Sequence, residues 1–205
     1  MADRPLRVGL TGSIGMGKTE TARMFASLGI PVYDADAAVH ALYDSGGPAV
    51  PPIAGAFPDC VTDGRVDRGA LAVRVLSDPG ALAKLEAIVH PLAAKRQQAF
   101  IDEAAAAGAE LAVFDIPLLY ETGGDAGMDV VIVASAPPDV QRARALSRPG
   151  MTAEKLESIL KRQMPDAEKR ARAHYVVDTG CGFEQAFAQV RTIVDQLRAR
   201  RKSDA

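Results

Sequence analysis

Leu6-Arg7-Val8-Gly9-Leu10-Thr11-Gly12-Ser13-Ile14-Gly15-Met16-Gly17-Lys18-Thr19 is the stretch that decides how this chain is read. Leu6, Val8 and Leu10 form a short apolar run that reads as a buried strand. It opens into Gly12 to Thr19, which fits G-x-x-x-x-G-K-[ST] without a gap, and Glu20 to Leu28 then reads as a helix. Glycines at this spacing let main-chain N–H groups approach anionic oxygens with no Cβ in the way. The following helix adds unpaired N–H groups and the positive end of its dipole. Gly12, Gly15, Met16 and Gly17 therefore read as a phosphate cradle. Lys18 supplies a mobile charge for the outer phosphates of a nucleoside triphosphate, and the Thr19 hydroxyl is placed for Mg²⁺.

Working outward, Pro31 to Asp34 reads as a second strand, followed by a helix to about Tyr43. In an extended chain Asp34 and Asp36 would point the same way, toward the phosphates. Either could orient a substrate hydroxyl, although one of them, more plausibly Asp34, caps the next helix. Ser45 to Pro52 reads as a Gly/Pro-rich connection, and Ile53 to Ala107 as helical, with Asp67 and Asp78 as N-caps and Pro79 at a first helical position. Pro91 makes His90-Pro91 read as a break in that helical stretch.

Leu111 to Asp115, Asp129 to Ala134 and Tyr175 to Asp178 read as three more buried strands. Asp115, at the end of an apolar strand, is the expected place for an acid near Mg²⁺. Arg144 and Arg148 are one helical turn apart, so guanidiniums on one helix face could close over a triphosphate. Strands alternating with helices predict an α/β fold: an open parallel five-stranded sheet of the P-loop type, helices on both faces. Ligands of such sheets sit beyond the strands' carboxyl ends, where the P-loop, Asp34/Asp36 and Asp115 fall.

The 205 residues suit one domain carrying an insertion, with boundaries at about 45–108 for the insertion and about 138–172 for a lid. Net charge is −2, which gives no compositional reason to expect nucleic acid. The segment 142–172 departs from that balance, with nine Lys or Arg against four acids, and suggests a phosphate-facing patch. No apolar run approaches the roughly 18 residues of a membrane span, and the first residues lack a signal-peptide core. Cys60 and Cys181 make no disulfide framework. The expectation is a cytoplasmic protein, monomeric or weakly homo-oligomeric, acting at neither membrane nor nucleic acid.

The segments GLTGSIGMGKT from Gly9, VYDADAAVH from Val32, VHPL from Val89, FDIPLLYE from Phe114, RARALSRPGMT from Arg142, ILKRQM from Ile159 and YVVDTG from Tyr175, in this order, resemble the bacterial dephospho-CoA kinases. The resemblance runs from Leu6 to about Gly180. It implies a P-loop kinase core with a helical CoA-binding region and a lid. It implies transfer of the ATP γ-phosphate to the 3′-hydroxyl of dephospho-CoA, the last step of coenzyme A synthesis. Asp36 would then be the base near that hydroxyl and Arg144 the lid arginine, with Lys18 and Thr19 in their P-loop roles. His90-Pro91 and the Pro117-Leu118-Leu119 turn would border the acceptor. Met16 stands where a serine is common in the family, and Asp178-Thr179 where Asp-Asn is commoner.

Overall fold

A computed structural model of the chain describes residues 4–76 and 78–203. In chain order the elements are β1 (Leu6–Thr11), α1 (Lys18–Ser27), β2 (Val32–Asp34), α2 (Ala35–Tyr43) and α3 (Val50–Ala56). Then come β3 (Val61–Thr62), β4 (Arg65–Val66), α4 (Arg68–Leu76), α5 (Pro79–Ala106), β5 (Leu111–Asp115) and β6 (Val130–Ser135). The rest is α6 (Pro138–Leu146), α7 (Ala153–Leu160), α8 (Asp166–Arg172), β7 (Tyr175–Asp178) and α9 (Phe183–Ser203). The chain forms two compact units, Met1–Tyr33 with Ala104–Ala205, and Asp34–Glu103.

The main sheet has five strands in the order β2-β5-β1-β6-β7. β1 pairs in parallel with β5, from Leu6↔Leu111 to Leu10↔Asp115, and with β6 on its other edge. Side chains alternate across a strand, so Val8, Leu10, Leu111, Val113, Val130 and Ile132 share one face. There they pack against Phe25 and Met24 of α1 and a helical stripe on α9, Ala186, Val190, Ile193, Val194 and Leu197. Full burial of such an aliphatic side chain contributes about 1.5–3 kcal/mol. The opposite face carries Val131 and Val133 under Leu119 and Tyr120, with Met164 and Ala173 packed against them. Gly9 makes room there: a Cβ on it would lie 2.8 Å from Leu119 Cδ2 and 2.9 Å from Met128 Cγ. The α/β architecture with a five-stranded parallel sheet is the one the alternating pattern predicts.

The 34–103 unit departs from the expected helical pattern. Residues 53–107 are not all helical, because Pro58–Cys60 forms a single 3₁₀ turn and β3 and β4 form an antiparallel hairpin. Asp63 (φ 50°) and Gly64 (φ 71°) both adopt left-handed backbone at its tip, the type I′ requirement that an Asp-Gly pair meets at least cost. Pro51 and Pro52 belong to the first turn of α3 rather than to the connection before it, since a first-turn residue has no intrahelical N–H bond to lose. His90-Pro91 does not break α5, which runs through it from Pro79 to Ala106. The proline removes one N–H from the ladder, and its exposed position leaves water to satisfy the freed Ala87 carbonyl. The caps at Asp67 and Asp78 form as expected: each Oδ1 accepts two N–H bonds from the first turn of α4 or α5.

Leu42, Ala49, Ile53, Phe57, Val66, Leu71 and Val89 build this unit's own core, which also encloses Cys60. Cys181, in the other unit, is exposed.

Candidate active site

The loop between β1 and α1 is held in shape by its neighbours on the sheet. Gly15 (φ 78°) and Gly17 (φ 85°) both adopt left-handed backbone. A Cβ on Gly15 would stand 2.5 Å from the carbonyl oxygen of Gln141 in α6, and one on Gly17 would stand 2.7 Å from Thr179 Oγ1. Gly12 has the same steric role without the unusual φ, its Cβ position being 2.7 Å from the Ala134 carbonyl at the end of β6. Met16 is 2 % exposed, and its Sδ accepts the Ala136 N–H at 3.1 Å. The thioether therefore ties the loop to the connection between β6 and α6.

Gly17 is the N-cap of α1 and supplies no side-chain cap. The first N–H groups of the helix are thus left for an anion from outside the chain. Lys18 is ion-paired with Asp115 Oδ1, the last residue of β5. The side chains are 16 % and 8 % exposed, so the pair sits largely out of water beneath the uncapped turn. Thr19 is exposed on that turn. Thr11 Oγ1 donates to the Pro117 carbonyl at 3.0 Å, which ties the Pro117-Leu118-Leu119 turn to the end of β1. Within that turn Leu119 is fully buried and Leu118 is exposed.

Two glutamines grip the backbone on either side of Ile14. Gln141 Nε2 donates to its carbonyl at 2.9 Å, and Gln163 Oε1, from the segment after α7, accepts its N–H at 3.0 Å. Arg144 gives NH1 to Thr179 Oγ1 at 2.9 Å and NH2 to the Thr179 carbonyl at 2.8 Å. Thr179 Oγ1 in turn donates to the Met16 carbonyl at 2.9 Å. Ile14, Gly15 and Met16 are therefore each braced by α6 or by a partner of α6.

Arg148 does not share a helix face with Arg144. α6 ends at Leu146, and Arg148 lies beyond it in an exposed turn with Pro149 and Gly150, where the Arg148 N–H reaches only the Ala145 carbonyl. The proline and the left-handed Gly150 end the helix two residues short of Arg148, too early for an i, i+4 pair.

In the other unit Asp34 ends β2 and caps α2, its Oδ1 accepting the Ala37 N–H at 2.9 Å. Asp36 lies in the first turn of that helix, exposed. The extended Asp34-Ala35-Asp36 geometry is therefore not adopted, because the cap starts the helix at Ala35. His90 and Pro91 are exposed on α5.

A dephospho-CoA kinase family model matches residues 6–185. The chain belongs to the dephospho-CoA kinase family. A dephospho-CoA kinase of Rhodopseudomonas palustris strain BisB18 is 56 % identical over 187 residues, covering 91 % of this chain and 93 % of the relative. One of Mesorhizobium japonicum is 54 % identical over 196 residues, covering 96 % and 98 %. Among solved structures, a Thermus thermophilus protein matches with a TM-score of 0.80 at 33 % identity, over 94 % of this chain and 97 % of its own. The dephospho-CoA kinase of Campylobacter jejuni shares the fold, with a TM-score of 0.63 at 19 % identity over 93 % and 96 %.

Against the family's segments, several structurally committed residues had no distinct signal in the sequence. Glu121, the acid of FDIPLLYE, accepts the Met164 N–H at 2.8 Å and pairs at 2.8 Å with Lys169, whose side chain is fully buried. Arg172 stacks over the Tyr120 ring at 4.4 Å and bonds Asp125 at 2.9 Å, so α8 is riveted to the loop after β5. Arg142 pairs with Glu157. Arg142, Lys169 and Arg172 are thus engaged in intramolecular ion pairs, which cuts down the phosphate-facing patch that charge alone suggested, while Arg144 commits two N–H groups to Thr179 and keeps the others. Gln141 and Gln163 carry no signal in a single sequence.

Proposed function

We infer that the chain carries out the reaction of its family, transfer of the ATP γ-phosphate to the 3′-hydroxyl of dephospho-CoA. The observation that supports this most directly is the uncapped α1 N-terminus with Lys18 and Asp115 beneath it, in a chain matched by the family over nearly its whole length. Amides of Gly15, Gly17 and Lys18 take the phosphates, Met16 shapes the loop with its own N–H on the Ser13 carbonyl at 3.1 Å, and Lys18 exchanges Asp115 for phosphate oxygens. Arg144 neutralises charge on the same group, and Arg148 is a second cation within reach of the α6 end. Asp36 orients the acceptor hydroxyl and receives its proton, a role that an ordinary aspartate can fill because phosphoryl transfer demands positioning more than basicity. His90, Pro91 and the Pro117-Leu118-Leu119 turn border the acceptor.

Mg²⁺ is the metal that these residues fit. Thr19 and Asp115 offer a hydroxyl and a carboxylate, hard oxygen ligands. Among the described residues no cluster of three acids, histidines or cysteines could hold a metal by itself. Mg²⁺ characteristically takes one or two side chains and completes its shell with phosphates and water. When bound it would neutralise charge on the β- and γ-phosphates. No described helix is long and apolar enough to cross a membrane.

The test is ADP release coupled to a panel of acceptors, with the product examined for a 3′-phosphate. Stimulation by dephospho-CoA supports the reading, and stimulation by a nucleoside monophosphate or shikimate instead reverses it. A nucleotide-dependent switch is the reading from another class. It would bind nucleotide with negligible acceptor-dependent turnover, and the chain has neither asparagine nor a Thr-Lys-x-Asp segment of the kind that selects guanine.

A further inference from the structure

Thr179 stands where the β7–α9 connection meets the P-loop, and its position is over-determined. Its N–H donates to the Ser135 carbonyl at 2.8 Å, which continues the β6–β7 pairing by one residue. Asp178 Oδ1 accepts the Gly180 N–H at 2.8 Å and closes the turn around it. Pro137 packs so tightly on Gly180 that a Cβ there would lie 2.4 Å from Pro137 Cδ. Thr179 is itself 8 % exposed.

From that fixed base one hydroxyl serves two groups of opposite demand. A guanidinium can only donate and a carbonyl can only accept. The Thr179 hydroxyl, which does both, accepts from Arg144 and spends its single proton on the Met16 carbonyl. The Thr179 carbonyl takes a second N–H of the same guanidinium. Two bonds from one residue fix both the place and the plane of the Arg144 fork. Three of its five N–H donors remain for a ligand.

We propose that Thr179 is a positioning residue of the kinase: its hydroxyl sets the Arg144 guanidinium and the Met16 peptide of the phosphate loop in one register before nucleotide arrives. The proposal rests on the phosphate role given to Arg144 above. An apolar isostere keeps the packing against Gly17 and loses both hydroxyl bonds. A serine keeps both. An asparagine also has an acceptor and a donor to offer, on a side chain one atom longer.

The experiment is a double-mutant cycle with Thr179→Val and Arg144→Ala, read as kcat and KM for ATP at saturating dephospho-CoA. Thr179→Ser, Thr179→Ala and thermal melts are run in parallel. Thr179→Val is expected to lower kcat/KM for ATP by about tenfold or more, as for loss of a hydrogen bond to a charged group. Its split between kcat and KM should follow that of Arg144→Ala. In the Arg144→Ala background the same substitution should cost less than about threefold, because contacts acting through one another are not additive. Thr179→Ser should restore most of the activity that Val removes, and Thr179→Ala should lower kcat/KM as Val does, carrying the reading in place of Val where the melts show that Val disturbs folding. An equal loss from Thr179→Val in both backgrounds, or a serine as damaging as valine, overturns the positioning role and leaves that of Arg144 standing. Arg144→Ala without effect on ATP kinetics overturns both.

Discussion

Lys18 and Asp115 lie 97 residues apart in the chain, yet the first residue of α1 and the last residue of β5 form an ion pair that is mostly shielded from solvent. The pairing holds the lysine ready where phosphate oxygens will compete for it, and it gives the carboxylate a counter-charge until they do. Removing one partner of such a pair strands the other. Lys18→Met is therefore expected to weaken ATP binding and to remove most transfer. It should also lower stability by about 1–3 kcal/mol in urea unfolding. Asp115→Asn should keep the fold with a smaller penalty and raise the Mg²⁺ concentration needed for half-maximal rate. A Lys18→Met protein as stable as the parent would show that the pair contributes nothing in the ligand-free chain.

The phosphate loop tolerates no side chain at Gly15. A methyl group there would face the Gln141 carbonyl at 2.5 Å, and that atom is main chain in α6, with no rotamer to give way. The backbone is also left-handed at this residue, a conformation that costs an L-residue roughly 1–2 kcal/mol. Gly15→Ala should abolish measurable binding of an ATP analogue and lower the unfolding midpoint. Binding by titration calorimetry at near-parental affinity would contradict this account of the loop.

Stability is expected to fall more steeply in acid than for a chain with ordinary surface carboxylates. Burial pushes the Glu121 carboxyl up, but hydrogen bonds from Lys169 and the Met164 N–H draw it below its usual 4.5. At Asp129 the Arg4 guanidinium, opposed by burial and helped by the Arg7 N–H, holds the carboxyl below 3.8. A carboxylate whose folded pKa is depressed contributes stability that is complete above its unfolded pKa and is lost as pH falls through the folded one. The urea midpoint should hold above about pH 5 and drop steeply below about pH 4. Glu121→Gln with Asp129→Asn should flatten that slope while lowering the midpoint at pH 7. Lys169→Met, which strands Glu121, should cost up to about 3 kcal/mol at neutral pH.

The sheet was readable because its code is local. An apolar strand, a glycine turn and a helix recur with their caps, and β5 and β7 lie where their apolar runs put them. The P-loop was readable because phosphate geometry fixes residue types at fixed offsets. The hairpin at Asp63-Gly64 was legible in principle, since the two turn residues sit between Val61-Thr62 and Arg65-Val66. A long helical pattern around it outweighed four strand residues. His90-Pro91 misled for the opposite reason, because the rule about residues preceding proline is a preference that the packing of α5 overrides. The bracing of Ile14 and Met16 had no local signal, since Gln141, Gln163 and Thr179 meet the loop only after the chain has crossed the sheet.

Asp34 and Asp36 should separate cleanly under mutation, although they stand two residues apart. Asp34 is the N-cap of α2, with its carboxylate committed to the Ala37 N–H. Asp34→Ala should therefore cost about 1 kcal/mol of stability, the usual loss for an N-cap aspartate, and Asp34→Ser should recover most of it. Asp36 makes no comparable structural bond and sits exposed in the first turn, where its charge adds only a small favourable interaction with the helix dipole. Asp36→Ala should leave the melting temperature nearly unchanged and ATP-analogue affinity within about twofold. Its kcat for dephospho-CoA phosphorylation should fall by about 10²–10⁴, the range for a general base in proton transfer. Asp36→Asn, which keeps size and polarity but cannot take the proton, should fall with it. If Asp36→Ala retained more than about a tenth of the parental kcat, hydroxyl activation would have to be reassigned to another acid of this chain.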